Sequence, residues 1–280
     1  MTYAPAPGCG RGCLPKPGAV PTVGVLRRAG RLTALAGVLL AGIVVALLTP
    51  VLGTRGRARA TQGWFRALLR AAGVRTVFKG QFTPANRGAL VAPNHVSWLD
   101  IPVVLAWQPV RVVAKSDVRA WPVVGFMAAK VGTIFIDRRR VRTLPRTVSE
   151  IAAALRSGEN VLAFPEGTTW CGRTQGRFYP ATFQAAIDAE ALVRPVALRY
   201  RLADGTVTTA AAFVGEDTLL ESVLRVVATR GLTAELDPRP LADAHGAARR
   251  SMATATATMI AAPILADHEL KVMIGAVSDP

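Results

Sequence analysis

From Thr76 onward, short apolar runs alternate with longer stretches that have helical spacing. Runs rich in β-branched residues predict strands at residues 76–78, 89–92, 110–114, 133–136, 161–164, 195–200 and 207–214. Stretches with helical spacing predict helices at residues 98–106, 118–130, 144–156, 181–188, 218–229 and 240–262. Such alternation predicts an α/β fold, with a largely parallel central sheet flanked by helices.

A charge-free apolar segment at residues 32–52 precedes this region. As a helix its 21 residues would span about 30 Å, the thickness of a bilayer core. A signal peptide is the rival interpretation, but its apolar region would be shorter and arginines would not continue on the far side. We therefore expect the α/β domain to be preceded by an N-terminal membrane helix, which either spans the bilayer or enters and returns on one face.

Arginines flank the apolar segment on both sides. The flanking arginines are Arg27, Arg28, Arg31, Arg55, Arg57, Arg59, Arg66 and Arg70. Their excess after the segment predicts an inner-membrane protein with its main domain on the cytoplasmic face. Residues 62–73 have the apolar spacing of an amphipathic helix, which either lies on the bilayer surface or packs on the main domain.

The net charge is +16, from 34 basic and 18 acidic residues. Such an excess favours a polyanionic partner, either nucleic acid or an anionic membrane surface. Aromatic residues make up only 6% of the chain, and basic and aromatic residues do not interleave as they do in single-strand binders. We therefore expect an anionic membrane surface as partner and no nucleic acid.

The first 23 residues are rich in proline and glycine and have no apolar period. We predict a disordered tail at residues 1–23, followed by a membrane anchor and interfacial helix at residues 24–74. Cys9 and Cys13 form C-x3-C, half of a zinc site, which we interpret as a tail motif without a partner. Three cysteines in the whole chain make no disulfide framework.

The stretch Val91-Ala-Pro-Asn-His-Val-Ser-Trp-Leu-Asp100 places one histidine five positions before one aspartate, at a predicted strand exit. A histidine can take a proton near neutral pH, and a carboxylate on its other ring nitrogen orients it. On one helix the two side chains would diverge by roughly 140°. For the pair to meet, His95 must lie in the loop and Asp100 in the first turns of the next element. The alternative is a capping loop with a surface histidine.

Three further blocks follow in order: Gly132-Thr-Ile-Phe-Ile-Asp-Arg138, Phe164-Pro-Glu-Gly-Thr-Thr169 and Val193-Arg-Pro-Val-Ala-Leu198. With the histidine–aspartate block, this set resembles the glycerolipid acyltransferases of the 1-acylglycerol-3-phosphate (lysophosphatidic acid) acyltransferase type. Their pattern is His-x4-Asp, Gly-x-x-Phe-x-x-Arg, Phe-Pro-Glu-Gly-Thr-Arg-Ser and a Val-Pro-Val strand. The resemblance covers roughly residues 75–200, so we expect residues 75–280 to form an acyltransferase domain.

The resemblance implies an O-acyltransferase of phospholipid biosynthesis that gives phosphatidic acid. His95 would be the general base for the glycerol hydroxyl, and Asp100 would orient it. Arg138 would bind the acceptor phosphate. Glu166, Gly167 and Thr168 would help bind the acceptor, and Lys115 is a second candidate anion ligand. Acyl-CoA or acyl carrier protein would be the donor substrate, with no cofactor and no metal, and the oligomeric state is not predicted.

The chain departs from the family pattern at Thr169, where the family has an arginine. That arginine is a natural phosphate ligand, because its planar fork matches phosphate oxygens. Arg173 or Arg177 would have to reach the same place. Otherwise the acceptor is another lysolipid, such as lyso-ornithine lipid. A non-catalytic basic membrane-binding protein is the alternative of a different class.

A hydrolase that uses Ser97 or Cys171 as its nucleophile is a further alternative. We interpret Ser97 as a cap of the following helix, and Cys171 lacks an evident partner in the sequence. The apolar residues of the predicted helix 118–130 either line an acyl groove or belong to the core. These residues are Trp121, Val123, Val124, Phe126 and Met127.

Overall fold

A computed structural model describes residues 8–48, 51–80, 85–137 and 140–261. Within these residues the strands are β1 (Arg75–Phe78), β2 (Ala89–Pro93), β3 (Arg111–Lys115), β4 (Ile134–Ile136), β5 (Val161–Leu162), β6 (Leu192–Arg201), β7 (Thr233–Pro238) and β8 (Ala242–Asp243). The helices are α1 (Val25–Leu48), α2 (Thr54–Ala71), α3 (Asp100–Trp107), α4 (Pro122–Lys130), α5 (Leu144–Arg156), α6 (Ala181–Asp188), α7 (Leu219–Ala228) and α8 (residues 249–261).

The described strands form one sheet in the order β1-β7-β6-β2-β5-β3-β4, and β8 pairs with β6. The pairs β1–β7, β6–β2, β2–β5, β5–β3 and β3–β4 are parallel. Strand β6 pairs antiparallel with β7 and β8. The predicted α/β fold with a largely parallel sheet is therefore confirmed.

The sheet lies between two layers of helices. Successive side chains of a strand point to opposite faces of the sheet, so each face packs against one of the layers. On β6, Val196, Leu198 and Tyr200 join the core with α1, α2, α3 and α7. On the same strand, Val193 and Ala197 join the core with α5, α6 and α8. Both faces of the central strands are buried, which is typical of parallel sheets.

Helix α1 is long and apolar enough to cross a membrane by its length and composition. It begins and ends earlier than the predicted segment 32–52. It does not stand apart from the domain: Trp64 Nε1 of α2 donates to the Val38 carbonyl at 2.7 Å. Arg31 Nη1 donates to the Val227 and Thr229 carbonyls at 2.7 and 2.9 Å. Its outer side leaves Leu40 65% and Leu47 58% exposed.

Helix α2 packs on the main domain, which was one of the two alternatives for residues 62–73. Leu68 and Leu69 are buried. Gln62 Nε2 donates to the Trp107 carbonyl at 2.9 Å, and Arg66 Nε donates to the Ala106 carbonyl at 3.1 Å. These bonds satisfy carbonyls at the end of α3, which a helix end otherwise leaves without an intrahelical partner.

Three predicted elements differ in the structure. The predicted last helix, residues 240–262, begins only at residue 249, and residues 242–243 form β8 instead. Residues 207–214 do not form a strand: they make a bridge at Val207 and then a buried loop with a turn from Thr209 to Ala212. The predicted helix 118–130 is divided into a 3-10 helix, Ser116–Ala120, and α4. Pro122 causes this division, because a proline favours the first turn of a helix and keeps the residue before it extended.

Residues 8–23, which we predicted as part of a disordered tail, lie against the domain. Cys9 and Val23 are 6% and 5% exposed. The Val23 amide donates to the Ala228 carbonyl, and the Arg230 amide donates to the Pro21 carbonyl, both at 2.8 Å. The absence of an apolar period did not reveal this packing, because isolated residues make the contacts.

Candidate active site

The histidine–aspartate stretch leaves the carboxyl end of β2, in the middle of the sheet. Ligands of open α/β sheets bind in the crevice outside the carboxyl ends of the strands. His95 lies in the loop two residues after β2, and Asp100 is the first residue of α3. This is the arrangement that the spacing required for the two side chains to meet.

The His95 ring meets the Asp100 carboxylate. Nδ1 of His95 lies 2.8 Å from Asp100 Oδ2. The same carboxylate oxygen accepts the backbone amides of Val96 at 2.7 Å and Ser97 at 2.8 Å. The Asp100 side chain is fully buried, whereas that of His95 is 15% exposed. With Nδ1 engaged, Nε2 is the ring nitrogen through which His95 can exchange a proton with a substrate.

Tyr200 of β6 completes the surroundings of the carboxylate. Its phenol donates to Asp100 Oδ1 at 2.6 Å. Burial raises the pKa of Tyr200 well above its ordinary value, and the neighbouring Asp100 charge raises it further. The phenol therefore stays protonated and serves as a donor at physiological pH.

Glu166 joins the histidine loop to the loop after β5. Oε2 accepts the His95 amide at 2.5 Å, and Oε1 accepts the Gly176 amide at 2.6 Å. Burial raises the pKa of Glu166 to about 8; the two backbone amides oppose the rise, and the charge of Asp100 adds to it. The side chain is 1% exposed, so these two bonds are buried, and they hold the backbone of the histidine loop against that of the loop after β5.

Aromatic residues of the same loop hold the histidine from other directions. The Phe164 ring stacks on the His95 ring, with centroids 3.8 Å apart and planes at 19°. The Trp170 amide donates to the His95 carbonyl at 2.7 Å. The φ of +70° at Gly167 permits the sharp turn between these contacts, since this region favours glycine.

The predicted cationic residues lie in two parts of the chain. Lys115 ends β3 at the same carboxyl edge as His95; it is exposed, and its Nζ lies 3.7 Å from Asp117 Oδ2. Arg173 and Arg177 are exposed in the loop between β5 and α6. Arg138, the predicted phosphate ligand, lies outside the described residues. Thr168 is half-buried beside Glu166 in the chain.

Thr169, which replaces the family arginine, is tied into the protein. Its hydroxyl donates to the Phe213 carbonyl. The Phe213 amide in turn donates to the Val96 carbonyl at 3.0 Å. Position 169 therefore links the loop after β5, the loop at 207–214 and the histidine loop, and its hydroxyl is engaged within the protein.

The two alternative nucleophiles have structural neighbours. Ser97 is fully buried, and its Oγ accepts the Leu99 amide at 3.2 Å in the loop before α3. The N-cap of α3 is Leu99, without a side-chain cap bond, so Ser97 does not occupy the capping position that we predicted. Cys171 is buried, and its amide donates to Cys9 Sγ at 3.4 Å. Sequence reasoning missed this partner, and it also missed Tyr200, which only the pairing of β2 with β6 brings beside Asp100.

The fold and the motifs together define a class. Residues 75–199, a little less than half of the chain, match the family model described as Acyltransferase. The resemblance to glycerolipid acyltransferases that the four motifs indicated is thereby confirmed.

Characterised relatives include lysolipid acyltransferases. The chain is 37% identical over 172 residues to the lyso-ornithine lipid O-acyltransferase of Pseudomonas aeruginosa, an alignment that covers 61% of this chain and 65% of that protein. It is 41% identical over 159 residues to the 1-acyl-sn-glycerol-3-phosphate acyltransferase of Neisseria gonorrhoeae, covering 56% and 61%. The chain thus spans less than two thirds of the length of either relative.

A solved structure shares the fold. The crystal structure of the 1-acyl-sn-glycerophosphate (LPA) acyltransferase, PlsC, from Thermotoga maritima superposes with a TM-score of 0.66. The match covers 88% of this chain and 95% of that chain at 19% identity. At this identity the likeness concerns the fold, including the part that precedes the family match.

Proposed function

We propose that the protein is a membrane-bound O-acyltransferase that transfers a fatty acyl group from acyl-CoA or acyl carrier protein to a lysolipid hydroxyl, with His95 as the general base. The observation that carries this proposal is the 2.8 Å contact between His95 Nδ1 and the buried Asp100 carboxylate. A surface histidine with a capping loop would not need a carboxylate that also accepts Tyr200 and two backbone amides. A non-catalytic membrane-binding protein would not need this constellation either.

In the proposed reaction, His95 Nε2 takes the proton from the acceptor hydroxyl while its oxygen attacks the thioester carbonyl carbon. Asp100 stabilises the imidazolium that forms. The tetrahedral intermediate collapses with cleavage of the C–S bond, and the departing thiolate receives the proton from His95. An ester and a free thiol result. The thioester is already activated, so neither Ser97 nor Cys171 is needed as a nucleophile.

The first candidate acceptor is 1-acylglycerol 3-phosphate, which would give phosphatidic acid. Arg138, Arg173, Arg177 and Lys115 are the candidate cations for its phosphate. Charge-assisted hydrogen bonds to such a group contribute about 1.5–3 kcal/mol each. Glu166, Gly167 and Thr168 would shape the acceptor side of the site through the loop that they form after β5.

The second candidate acceptor is lyso-ornithine lipid. One specific observation favours it: the residue that replaces the family arginine, Thr169, has its hydroxyl engaged by the Phe213 carbonyl. An acceptor without a phosphate would not require the missing arginine. A relative named as a lyso-ornithine lipid O-acyltransferase is in agreement with this alternative.

Helices α1 and α4 would attach the protein to the membrane and keep the site near the bilayer. Helix α4 packs near α1. Trp121, which directly precedes the helix, and Val124 and Phe126 within it are about two-fifths exposed, at 39%, 37% and 40%. These side chains therefore do not belong to the core, and they are available to acyl chains or lipid. The flanking arginines favour the cytoplasmic face of the inner membrane.

The test is transfer of radiolabelled acyl groups to a panel of lysolipids, with either acyl-CoA or acyl carrier protein as donor and with membranes that carry the protein. Labelled phosphatidic acid would support the first acceptor, and label in acylated ornithine lipid alone would support the second. If no combination of acceptor and donor gives product above the level of membranes that lack the protein, the proposed activity is contradicted. Labelling by a covalent serine or thiol probe that blocks turnover would favour the hydrolase alternative.

A further inference from the structure

The fold gathers all three cysteines of the chain at one place beside the active-site loop. Cys9 and Cys13 come from the segment before α1, and Cys171 comes from the loop after β5. Their three sulfur atoms lie within 4.8 Å of one another. The C-x3-C motif, which we interpreted as having no partner, thus meets a third thiol that is more than 150 residues away in the sequence.

The first two thiols are brought together by a short 3-10 helix, Arg11–Cys13, in which the Cys13 amide donates to the Gly10 carbonyl at 3.0 Å. This segment is docked on the domain. Gly10 lies close to Gly215, where an added Cβ would come within 3.2 Å of the Gly10 Cα. Arg11 Nη2 pairs with Glu221 Oε1 at 3.4 Å.

Hydrogen-bond donors surround the sulfurs. The Cys171 amide donates to Cys9 Sγ at 3.4 Å. The Thr174 hydroxyl lies 3.6 Å from Cys9 Sγ and 3.8 Å from Cys171 Sγ. Cys9 and Cys171 are 6% and 3% exposed, and Cys13 is half-buried. Donors directed at sulfur stabilise thiolates, and such outer contacts are typical of metal sites.

The sulfur separations suit a metal ion. Zinc binds thiolate sulfur at about 2.3 Å, which places two sulfurs of a tetrahedral site about 3.8 Å apart. A disulfide requires about 2.05 Å and can join only two of the three thiols. Buried cysteines in an intracellular compartment more often bind metal than form a disulfide.

We propose that Cys9, Cys13 and Cys171 form a structural site for a thiophilic divalent metal of the zinc type. Binding of Zn²⁺ displaces one proton from each thiol, so three protons leave and the three thiolates with the metal carry a net charge of −1. The one Thr174 hydroxyl proton is donated to the Cys9 or the Cys171 sulfur, which lie 3.6 and 3.8 Å from its oxygen. A solvent oxygen on the open side of Cys13 fills the fourth position.

The site would connect the N-terminal segment to the active site. Cys171 directly follows Trp170, whose amide donates to the His95 carbonyl. Gly8 lies against the Trp170 ring, where an added Cβ would come within 2.7 Å of it. A metal at the three thiols therefore fixes the segment that leads into α1 to the loop that holds His95.

The test measures metal in the full-length protein, purified in detergent under reducing conditions. We expect about one zinc per chain by elemental mass spectrometry. After the zinc is removed, cobalt should give the near-ultraviolet charge-transfer absorption of thiolate ligands, and added zinc should abolish it. Cys9→Ser, Cys13→Ser and Cys171→Ser should each bind zinc at least tenfold more weakly.

Lys16→Ala is the matched control, because it removes an exposed charge from the same segment and leaves the three thiols and the Arg11–Glu221 ion pair in place. It should keep the zinc content of the wild type. The cobalt spectrum of the wild type requires no variant, so it decides the question even where a serine variant fails to fold. Wild-type protein that binds neither metal, or a folded Cys171→Ser that binds zinc as tightly as the wild type, would overturn the proposal.

Discussion

Tyr200 Oη and Asp100 Oδ1 are joined by a hydrogen bond of 2.6 Å in the interior of the protein. The other oxygen of the same carboxylate meets His95 Nδ1 at 2.8 Å. The two bonds lie on opposite oxygens of one buried group. Tyr200 is therefore a positioning residue, which acts on the histidine through the aspartate.

Tyr200→Phe should lower kcat for acyl transfer by about tenfold and leave KM for both substrates near the wild-type value. The reason is that the variant leaves one oxygen of a buried carboxylate without its donor, at a cost of about 1–3 kcal/mol. Part of that cost appears as misorientation of the His95 ring. Steady-state kinetics of acyl transfer would measure the change in kcat. Tyr179→Phe, which removes a phenol hydroxyl elsewhere, is the control. An unchanged kcat would show that the bond only stabilises the fold.

Glu166 makes stability depend on pH. Its pKa is about 8 in the folded protein, against an ordinary value of 4.5. An acid whose pKa is raised by folding is neutral in both states at low pH. Above pH 4.5 the unfolded chain loses the proton first, so the stability of the folded state falls as the pH rises and levels off above pH 8.

Glu166→Gln should therefore flatten the decline of the thermal midpoint between pH 5 and pH 8, a window that follows from the two pKa values. The variant should also be less stable at pH 5, because a glutamine amide cannot accept both the His95 and Gly176 amides. Thermal unfolding across this range is the measurement, with the exposed Glu159→Gln as control. A slope equal to that of the wild type would contradict the assignment.

The exposed side of α1 should hold the protein in the membrane. Leu40→Glu places a charge on a side chain that is 65% exposed in the absence of lipid. Because a charged residue costs roughly 2.5–3.5 kcal/mol in the bilayer centre, binding to vesicles should weaken by at least about tenfold. Met259→Glu, on α8 across the sheet, is the control. Equal vesicle binding by the two variants would argue against α1 as the anchor.

Substitution of the exposed arginines after β5 should weaken binding of the acceptor and leave binding of the donor unchanged. If the acceptor carries a phosphate, Arg173→Ala or Arg177→Ala should raise its KM by about tenfold or more, the effect of losing a charge-assisted hydrogen bond. Arg249→Ala, exposed on α8, should change nothing. Unchanged kinetics for both loop variants with 1-acylglycerol 3-phosphate would leave lyso-ornithine lipid as the favoured acceptor.

Much of the fold follows from local sequence. The predicted helices 144–156 and 181–188 have the bounds of α5 and α6, since their apolar spacing is regular. Strand β7 was missed although Ala234 and Leu236 alternate with Glu235 and Asp237. Its two acidic residues and its terminal proline reduce the strand signal, and pairing between β1 and β6 compensates for them.

The candidate site likewise has a part that follows from local sequence and a part that does not. The meeting of His95 and Asp100 follows from five residues of spacing at a strand exit. Tyr200 and the approach of Cys9 to Cys171 depend on which strands are neighbours and on where an N-terminal segment docks. No local pattern encodes either, because the contacting residues lie 100 and 162 positions apart.

The central claim is that His95 is the general base of an acyltransferase. The most direct measurement is acyl transfer at saturating substrates by His95→Ala, compared with His245→Ala, which removes an exposed histidine on the far part of the chain. General base catalysis contributes about 10²–10⁴-fold, so His95→Ala should lose at least about a hundredfold in kcat with its thermal midpoint preserved. His245→Ala should match the wild type. A folded His95→Ala that retains wild-type turnover would contradict the account.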